Sequence, residues 1–328
     1  MSIKTFTLKN GTTSIEVTNL GCAIIRLNVL DKNGDTRDIV LGLDKAEDYG
    51  TVAHPSFGVV VGRFANRINK GQFTLDGNSY QLDTNDGDNH LHGGNDNFAS
   101  KVWDVSDASD TSITFTYHSV DGESKYPGDL TATVVYSLSS DNTLRIDYKA
   151  TTTSKTIANL TNHSYFNLNG HTCPSILNHQ LQINAAKTTA ISDTLIPTGE
   201  FAPVAGTPFD FNTPKLIGKD FDAAGGYDHN YVLDGEGVAA VVSSAESGVK
   251  MTVSTNSPGM QLYTSNMMPT GDAAVSGKGV TYLPKSGFCL ETQLYPDCIN
   301  HPHFPSCVVT ADSPQRFYTT FKFEVEGK

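Results

Sequence analysis

The chain has 328 residues, 38% hydrophobic and 18% charged, with a formal net charge of −12 and a pI near 5.2. This is a globular balance and not a disordered one. The acidity argues against a nucleic-acid or anionic-membrane partner, since both need a basic surface, and it reads as solubility.

Met1 to Lys4 lead into Thr5-Phe6-Thr7-Leu8, which lacks the apolar core of a signal peptide. No stretch approaches the run of about 18 apolar residues needed to span a bilayer. The five cysteines, Cys22, Cys173, Cys289, Cys298 and Cys307, are scattered, without a Cys-x-x-Cys pair. The expectation is a cytoplasmic protein with reduced thiols, in which the sequons at Asn10, Asn159 and Asn162 stay silent.

Along the chain the first strong element is Phe57 to Val61, apolar at most positions and predicted as a strand covered on both faces. Gly62-Arg-Phe-Ala-Asn-Arg-Ile68 follows it. Asn66 and Arg67 together offer fixed donors and an acceptor, the inventory that sugar hydroxyls need, although a solvated strand end would look the same. Asp83-Thr-Asn-Asp-Gly-Asp88 imitates a calcium loop but fails it, because its Gly sits one place early and position 94 is Gly instead of Glu. In His90-Leu-His-Gly-Gly94, His90 and His92 share a face if this is a strand, and the glycines let the backbone approach a ligand. The His-x-His spacing also suits a metal, but carboxylate and Cys partners at metal spacing are missing nearby, and a structural loop is the alternative.

Leu130 to Leu138 and Leu144 to Ala150 alternate apolar and polar residues, the period of a strand with one buried face. Ile157 to Leu168, read as a strand, places Ala158, Leu160, Phe166 and Leu168 on one side. The other side carries Asn159, Thr161, His163, Tyr165 and Asn167. That face is polar but uncharged, with His163 near its centre, and fits the wall of a polar cleft. A satisfied surface histidine is the plainer reading. In Gly225-Gly-Tyr-Asp-His-Asn-Tyr231, Asp228 either caps a turn or binds ligand hydroxyls.

Gln261, Tyr263 and Ser265 share a face of Gly259 to Ser265. In Phe288 to Leu294, Glu291 and Gln293 lie opposite Phe288, Leu290 and Leu294. A Glu in a run otherwise free of charge is desolvated, which raises its pKa from about 4.3 and strengthens it as a base near neutrality. A Glu paired with Lys or Arg is the competing reading. Cys289 falls on the same side as Glu291 but has no evident His partner. Phe317, Thr319, Phe321, Phe323 and Val325 line one face of the last predicted strand.

Asn10-Gly11, Asn33-Gly34, Asp76-Gly77, Asp121-Gly122 and Asp234-Gly235 separate these runs as tight-turn signals. No long amphipathic helix, linker, fixed-period repeat, phosphate loop or nucleophile elbow is present. The fold class is therefore all-β, a large antiparallel β-sandwich spanning residues 1–328 as one domain.

Taken in order, these motifs resemble the aldose 1-epimerase family, the galactose mutarotases. The resemblance runs through residues 62–68 and 91–94, then Lys125-Tyr-Pro-Gly-Asp-Leu130 and residues 161–168. It continues in Ile196-Pro-Thr-Gly-Glu200, Thr207-Pro-Phe-Asp-Phe211, residues 227–230, Gln261-Leu-Tyr-Thr264 and Cys289-Leu-Glu-Thr-Gln293. It implies a galactose mutarotase-like supersandwich with an open sugar cleft, acting on free monosaccharides without a cofactor or metal, as a monomer or homodimer. Within it Glu291 is the implied general base, His163 the general acid and His92 a second histidine near the ring oxygen. Asn66, Arg67, Asp228 and Gln261 are implied to hold the sugar hydroxyls. Leu294 and Tyr295 stand where many members carry a Trp-containing pair, a departure that bears on sugar preference.

The alternatives are a hexose-6-phosphate 1-epimerase, a non-catalytic carbohydrate-binding module and a glycoside hydrolase. The first needs an anion clamp, for which Arg63 and Arg67 are the arginines near the expected site, out of six in the chain. The module would explain Asn66, Arg67 and Asp228 but not a desolvated Glu facing a His. The hydrolase would pair Asp228 with Glu291.

Overall fold

A computed structural model describes residues 2–50 and 56–326 of the chain, leaving Met1 outside. The period-two runs Leu130 to Leu138, Leu144 to Ala150 and Phe317 to Val325 become strands. Leu130–Leu138 buries every second residue, as does Thr143–Thr151, and Gln315–Val325 turns Thr319, Phe321 and Phe323 inward. These three adjoin one another in an antiparallel nine-stranded sheet that runs from Asp104–Ser106 at one edge to Lys215–Leu216 at the other.

A five-stranded sheet faces it, ordered Pro197–Pro203, Lys187–Ile191, Asp228–Val232, Gly259–Tyr263 and Cys289–Gln293. Alternation divides its residues between two environments. Tyr231, Met260, Leu262 and Leu290 enter the same core as Ile146, Val253, Phe321 and Phe323 of the large sheet. A four-stranded sheet beginning at Thr5–Asn10 adds Leu8, Ile15, Val17, Leu27 and Val29 to that core. The other face of the five-stranded sheet carries Asp228, Asn230, Gln261, Tyr263, Cys289, Glu291 and Gln293. The antiparallel register sets Asn230 opposite Gln261 and Gln261 opposite Glu291. The helix Phe221–Ala224 has four residues, and no helix among the described residues is long and apolar enough to cross a membrane.

Three of the turn signals close hairpins. Asp76 and Gly77, both at positive φ (52° and 80°), join Gln72–Leu75 to Asn78–Gln81 as a two-residue turn requires. Asn10-Gly11 and Asn33-Gly34 join paired strands too. Asp234-Gly235 does not, since it links Asp228–Val232 to Gly237–Ser243 in a different sheet, and Asp121-Gly122 opens a longer loop between Ser112–Ser119 and Leu130–Leu138.

Two predicted strands are corrected. Only Val60–Val61 of the Phe57 to Val61 run is strand, although all five residues are buried. The Ile157 to Leu168 segment contributes only Thr156–Ile157 and Thr161–Asn162. It is an inner thread, and of the five residues expected on one cleft-facing side only His163 and Tyr165 reach the cleft. Its polar side chains satisfy the backbone of neighbouring irregular segments, since buried N–H and C=O groups outside a ladder still require partners. Asn159 bonds Ala65 O, Leu294 O and Leu294 N, and Asn167 bonds the carbonyls of Cys173 and Ser286. The sequons at Asn159 and Asn162 are buried.

Candidate active site

A cleft of about 310 Å³ opens over the polar face of the five-stranded sheet, within the range of ~300–1,000 Å³ usual for small-ligand sites. Asn66, Arg67, His92, His163, Asp228 and Glu291 line it, with Tyr165, Tyr263, Met267 and Met268 as apolar walls. Six separate parts of the chain thus converge on one space.

Glu291 comes from the middle of the edge strand Cys289–Gln293 and is 2% exposed. His163 leaves the inner thread just after Thr161–Asn162 and stacks on Tyr165, with ring centroids 5.0 Å apart. Its Nε2 is 3.5 Å from Glu291 Oε1, while Glu291 Oε2 is buried without a protein partner. Burial pushes the Glu291 carboxyl well above its ordinary range; the negative charge of Asp228 adds to this and the Arg67 cation opposes it. Burial alone drives the His163 imidazole down to about 4. Glu291 is thus desolvated as its charge-poor strand predicts, and His163 rests neutral. The same desolvation that favours the neutral acid disfavours the cation.

His92 and Asn66 form a reciprocal pair. Asn66 N–H donates to His92 Nδ1 at 3.2 Å, and His92 N–H donates to Asn66 O at 3.1 Å. Both residues sit in the left-handed region, at φ of 63° and 52°. Gly93, at φ 87°, lets the loop press against the chain before Asn66: a Cβ there would stand 1.9 Å from Gly62 O. The close approach foreseen for these glycines is made by Gly93 to Gly62 and by Gly94 to the His90 ring. His90 does not share a face with His92. It is buried the other way, between Asp83 O and the Tyr126 hydroxyl, because the strand His90–Leu91 ends before His92.

The nitrogen and oxygen ligand atoms of His92, His163 and Glu291 lie within 4.8 Å of one another, close enough for a metal ion. The donor set does not fit one. A ligating histidine donates its second ring N–H outward, whereas His92 Nδ1 accepts a backbone N–H. Neutral His92 therefore carries its proton on Nε2 and has no lone pair left for a cation. What it offers the cleft is a hydrogen-bond donor.

Arg67 Nε donates to Asp86 Oδ2 at 2.7 Å, and its NH1 is 3.9 Å from Asp228 Oδ2. Asp228 opens a strand and caps no turn; its carboxyl is raised by burial against the pull of Arg67 and of Gln261. Gln261 does not line the cleft. Its Nε2 donates to Asp228 Oδ1 at 2.6 Å, so it orients the aspartate from behind. Arg63 is absent from the cleft as well. Its guanidinium is buried elsewhere, donating to the carbonyls of Ser119, Val120, Pro127 and Gly128 and to the Ser119 and Thr156 hydroxyls. Among the described residues the cleft lining thus offers an anion clamp only Arg67, already engaged by two carboxylates.

Two contacts escaped the sequence. Asp86 lies in the segment dismissed as a failed calcium loop, and its acidity was the one available signal. Cys289, thought to lack a His partner, has one: its Sγ is 3.5 Å from His163 Nδ1.

The sequence pattern of the family described as Aldose 1-epimerase matches residues 4–322. A galactose mutarotase from Bos taurus is 42% identical, covering 99% of this chain and 95% of that protein. An aldose 1-epimerase from Escherichia coli is 34% identical, covering 93% and 90%. Among solved structures, an aldose epimerase homologue from C. elegans superposes with a TM-score of 0.92 at 26% identity, covering 99% of each chain.

Proposed function

The chain belongs to the aldose 1-epimerase family, and on that premise we propose that it interconverts the α and β anomers of free hexoses such as galactose and glucose by acid–base ring opening and closure. It is a carbohydrate isomerase. The observation that carries the assignment of roles is the 3.5 Å contact of His163 Nε2 with Glu291 Oε1 on the cleft floor.

In this reading the pair works with one proton between them. At rest the proton sits on Glu291 and His163 is neutral, as burial of both favours. Sugar hydrogen bonds and the Arg67 cation shift it to the ion-paired form, Glu291 carboxylate and His163 imidazolium. Glu291 then takes the proton of the C1 hydroxyl while His163 gives its own to the ring oxygen. The bond from C1 to the ring oxygen breaks and C1 becomes the aldehyde. Rotation about C1–C2 exposes the opposite carbonyl face, and reversal of both transfers closes the other anomer and restores the pair. Each general acid or base contributes about 10²–10⁴-fold. His92, an Nε2–H donor, steadies the ring oxygen. Asn66, whose Oδ1 accepts from Arg67 N–H, has its amide nitrogen to donate to a hydroxyl; Arg67 donates from its guanidinium and Asp228 accepts with its carboxylate.

With this reading go a single domain over residues 1–328, a cytoplasmic site of action and a monomer or homodimer; the apolar core that runs from Leu8 to Phe323 supports the first. The engagement of Arg63 by carbonyls counts against a sugar phosphate as substrate. Polarimetry on freshly dissolved α-D-galactose, α-D-glucose and methyl α-D-galactoside tests the proposal. Faster decay of rotation is expected for both free sugars and none for the glycoside. Unaccelerated free sugars would refute it, and a change in the glycoside would point to hydrolysis.

A further inference from the structure

We propose that Cys289 is a positioning residue for His163: its sulfur accepts the Nδ1–H and so keeps Nε2 as the nitrogen that exchanges a proton with Glu291 and the sugar. The inference rests on the acid role given to His163 above.

The placement follows from the strand. Cys289 and Glu291 are two residues apart in Cys289–Gln293 and point to one face, so a single element presents a sulfur to one ring nitrogen and a carboxylate to the other. The distances are both 3.5 Å. The imidazole is held between them by Tyr165 stacked on it, with His92 edge-on at 5.2 Å and Tyr263 at 6.4 Å between centroids. Its backbone is fixed by bonds from His163 N to Val59 O and from Gly58 N to His163 O. The groups facing the ring are thus Glu291 and Cys289 from the edge strand, Tyr263 from the next strand, His92 from its loop and Tyr165 from the same segment.

The proton count then selects the tautomer. When the pair holds one proton on Glu291, the carboxyl O–H can donate to Nε2 only while the neutral ring carries its hydrogen on Nδ1. When that proton crosses to Nε2, Nδ1 keeps its hydrogen. In both forms Nδ1–H needs an acceptor, and the sulfur supplies one; the ring's own backbone carbonyl also favours the protonated ring. The thiol itself is held far above its ordinary pKa, by burial first and then by Glu291 and Asp228. It therefore stays S–H and serves as neither nucleophile nor anion. Once the pair has lost its last proton, the thiol rotor can reverse and donate to Nδ1 while Nε2–H faces the carboxylate. Sulfur suits this duty because it is a weak donor and a weak acceptor and favours neither state strongly.

The test compares wild type with C289A and C289S, using ¹⁵N-histidine-labelled protein for ring-nitrogen NMR alongside polarimetric kcat and KM from pH 3 to 10. Wild type is expected to show a protonated Nδ1 near pH 7. In C289A the tautomers mix, kcat falls about tenfold with KM within about twofold, and the acid limb moves to lower pH, since one hydrogen bond to the charged ring is lost. C289S, which keeps a donor and acceptor of similar size, retains Nδ1–H and most of kcat, separating positioning from packing. A C289A protein with unchanged tautomer, kcat and acid limb overturns the proposal. A changed tautomer with unchanged kcat upholds the contact and overturns instead the acid role of His163.

Discussion

His163 Nε2 and Glu291 Oε1 lie 3.5 Å apart on the floor of the cleft, brought together from an inner irregular thread and the edge strand of a sheet. Glu291→Gln keeps the shape of that floor and removes the proton acceptor. Turnover should drop by about 10²–10⁴-fold, the usual share of one general base. Galactose binding, followed by calorimetry, should change little. Near-normal mutarotation in this variant would remove Glu291 from the mechanism.

Activity should follow a bell in pH whose limbs belong to the pair as a unit. The active form holds one proton. Below about 4, where burial has placed the His163 transition, a second proton binds and activity is lost. Activity therefore rises with pH through that value. It falls only above the ordinary carboxylate range, where Glu291, raised by burial, gives up the last proton. Initial rates corrected for spontaneous mutarotation measure this. An acid limb near the ordinary histidine value of about 6.5 would contradict the buried, neutral imidazole.

Asp86→Asn weakens the 2.7 Å charge-assisted bond to Arg67 Nε without altering size. Bonds to charged groups are worth about 1.5–3 kcal/mol, and half or more of that is retained by an amide oxygen. The guanidinium should then swing toward Asp228. KM should rise about three- to tenfold with kcat affected less, because Arg67 holds the sugar and moves no proton. Equal losses in kcat and kcat/KM would assign Arg67 to the transition state instead.

Arg63→Leu tests the buried arginine that the sequence had placed near the ligand. Its loss would leave the carbonyls of Ser119, Val120, Pro127 and Gly128 short of donors in the interior. A cost of about 3–5 kcal/mol in stability is expected, read as a lower urea midpoint. Turnover per folded molecule should hold. Selective loss of sugar binding in a stable variant would return Arg63 to the site.

Much was legible in the sequence because it is written in local periodicity. Leu130 to Leu138 and Arg316 to Val325 declare their strands and their buried faces through alternation alone, and the charge-poor surroundings of Glu291 announce its desolvation. Those properties depend on neighbours within a few residues. The segment from Ile157 to Leu168 misled for the same reason. It alternates like a strand, yet its Asn159 serves the backbones of residues 65 and 294, which periodicity does not report.

Local pattern thus determined the all-β class, the candidate residues and their chemical types. Tertiary structure decided which of them meet. It turned His90 away from His92, withdrew Gln261 behind Asp228, spent Arg63 on carbonyls, and placed Cys289 and Glu291 on opposite nitrogens of one imidazole. The physical reason is that a hydrogen bond or a pKa is set by atoms within a few ångströms. In this antiparallel sandwich those atoms come from strands and loops far apart along the chain.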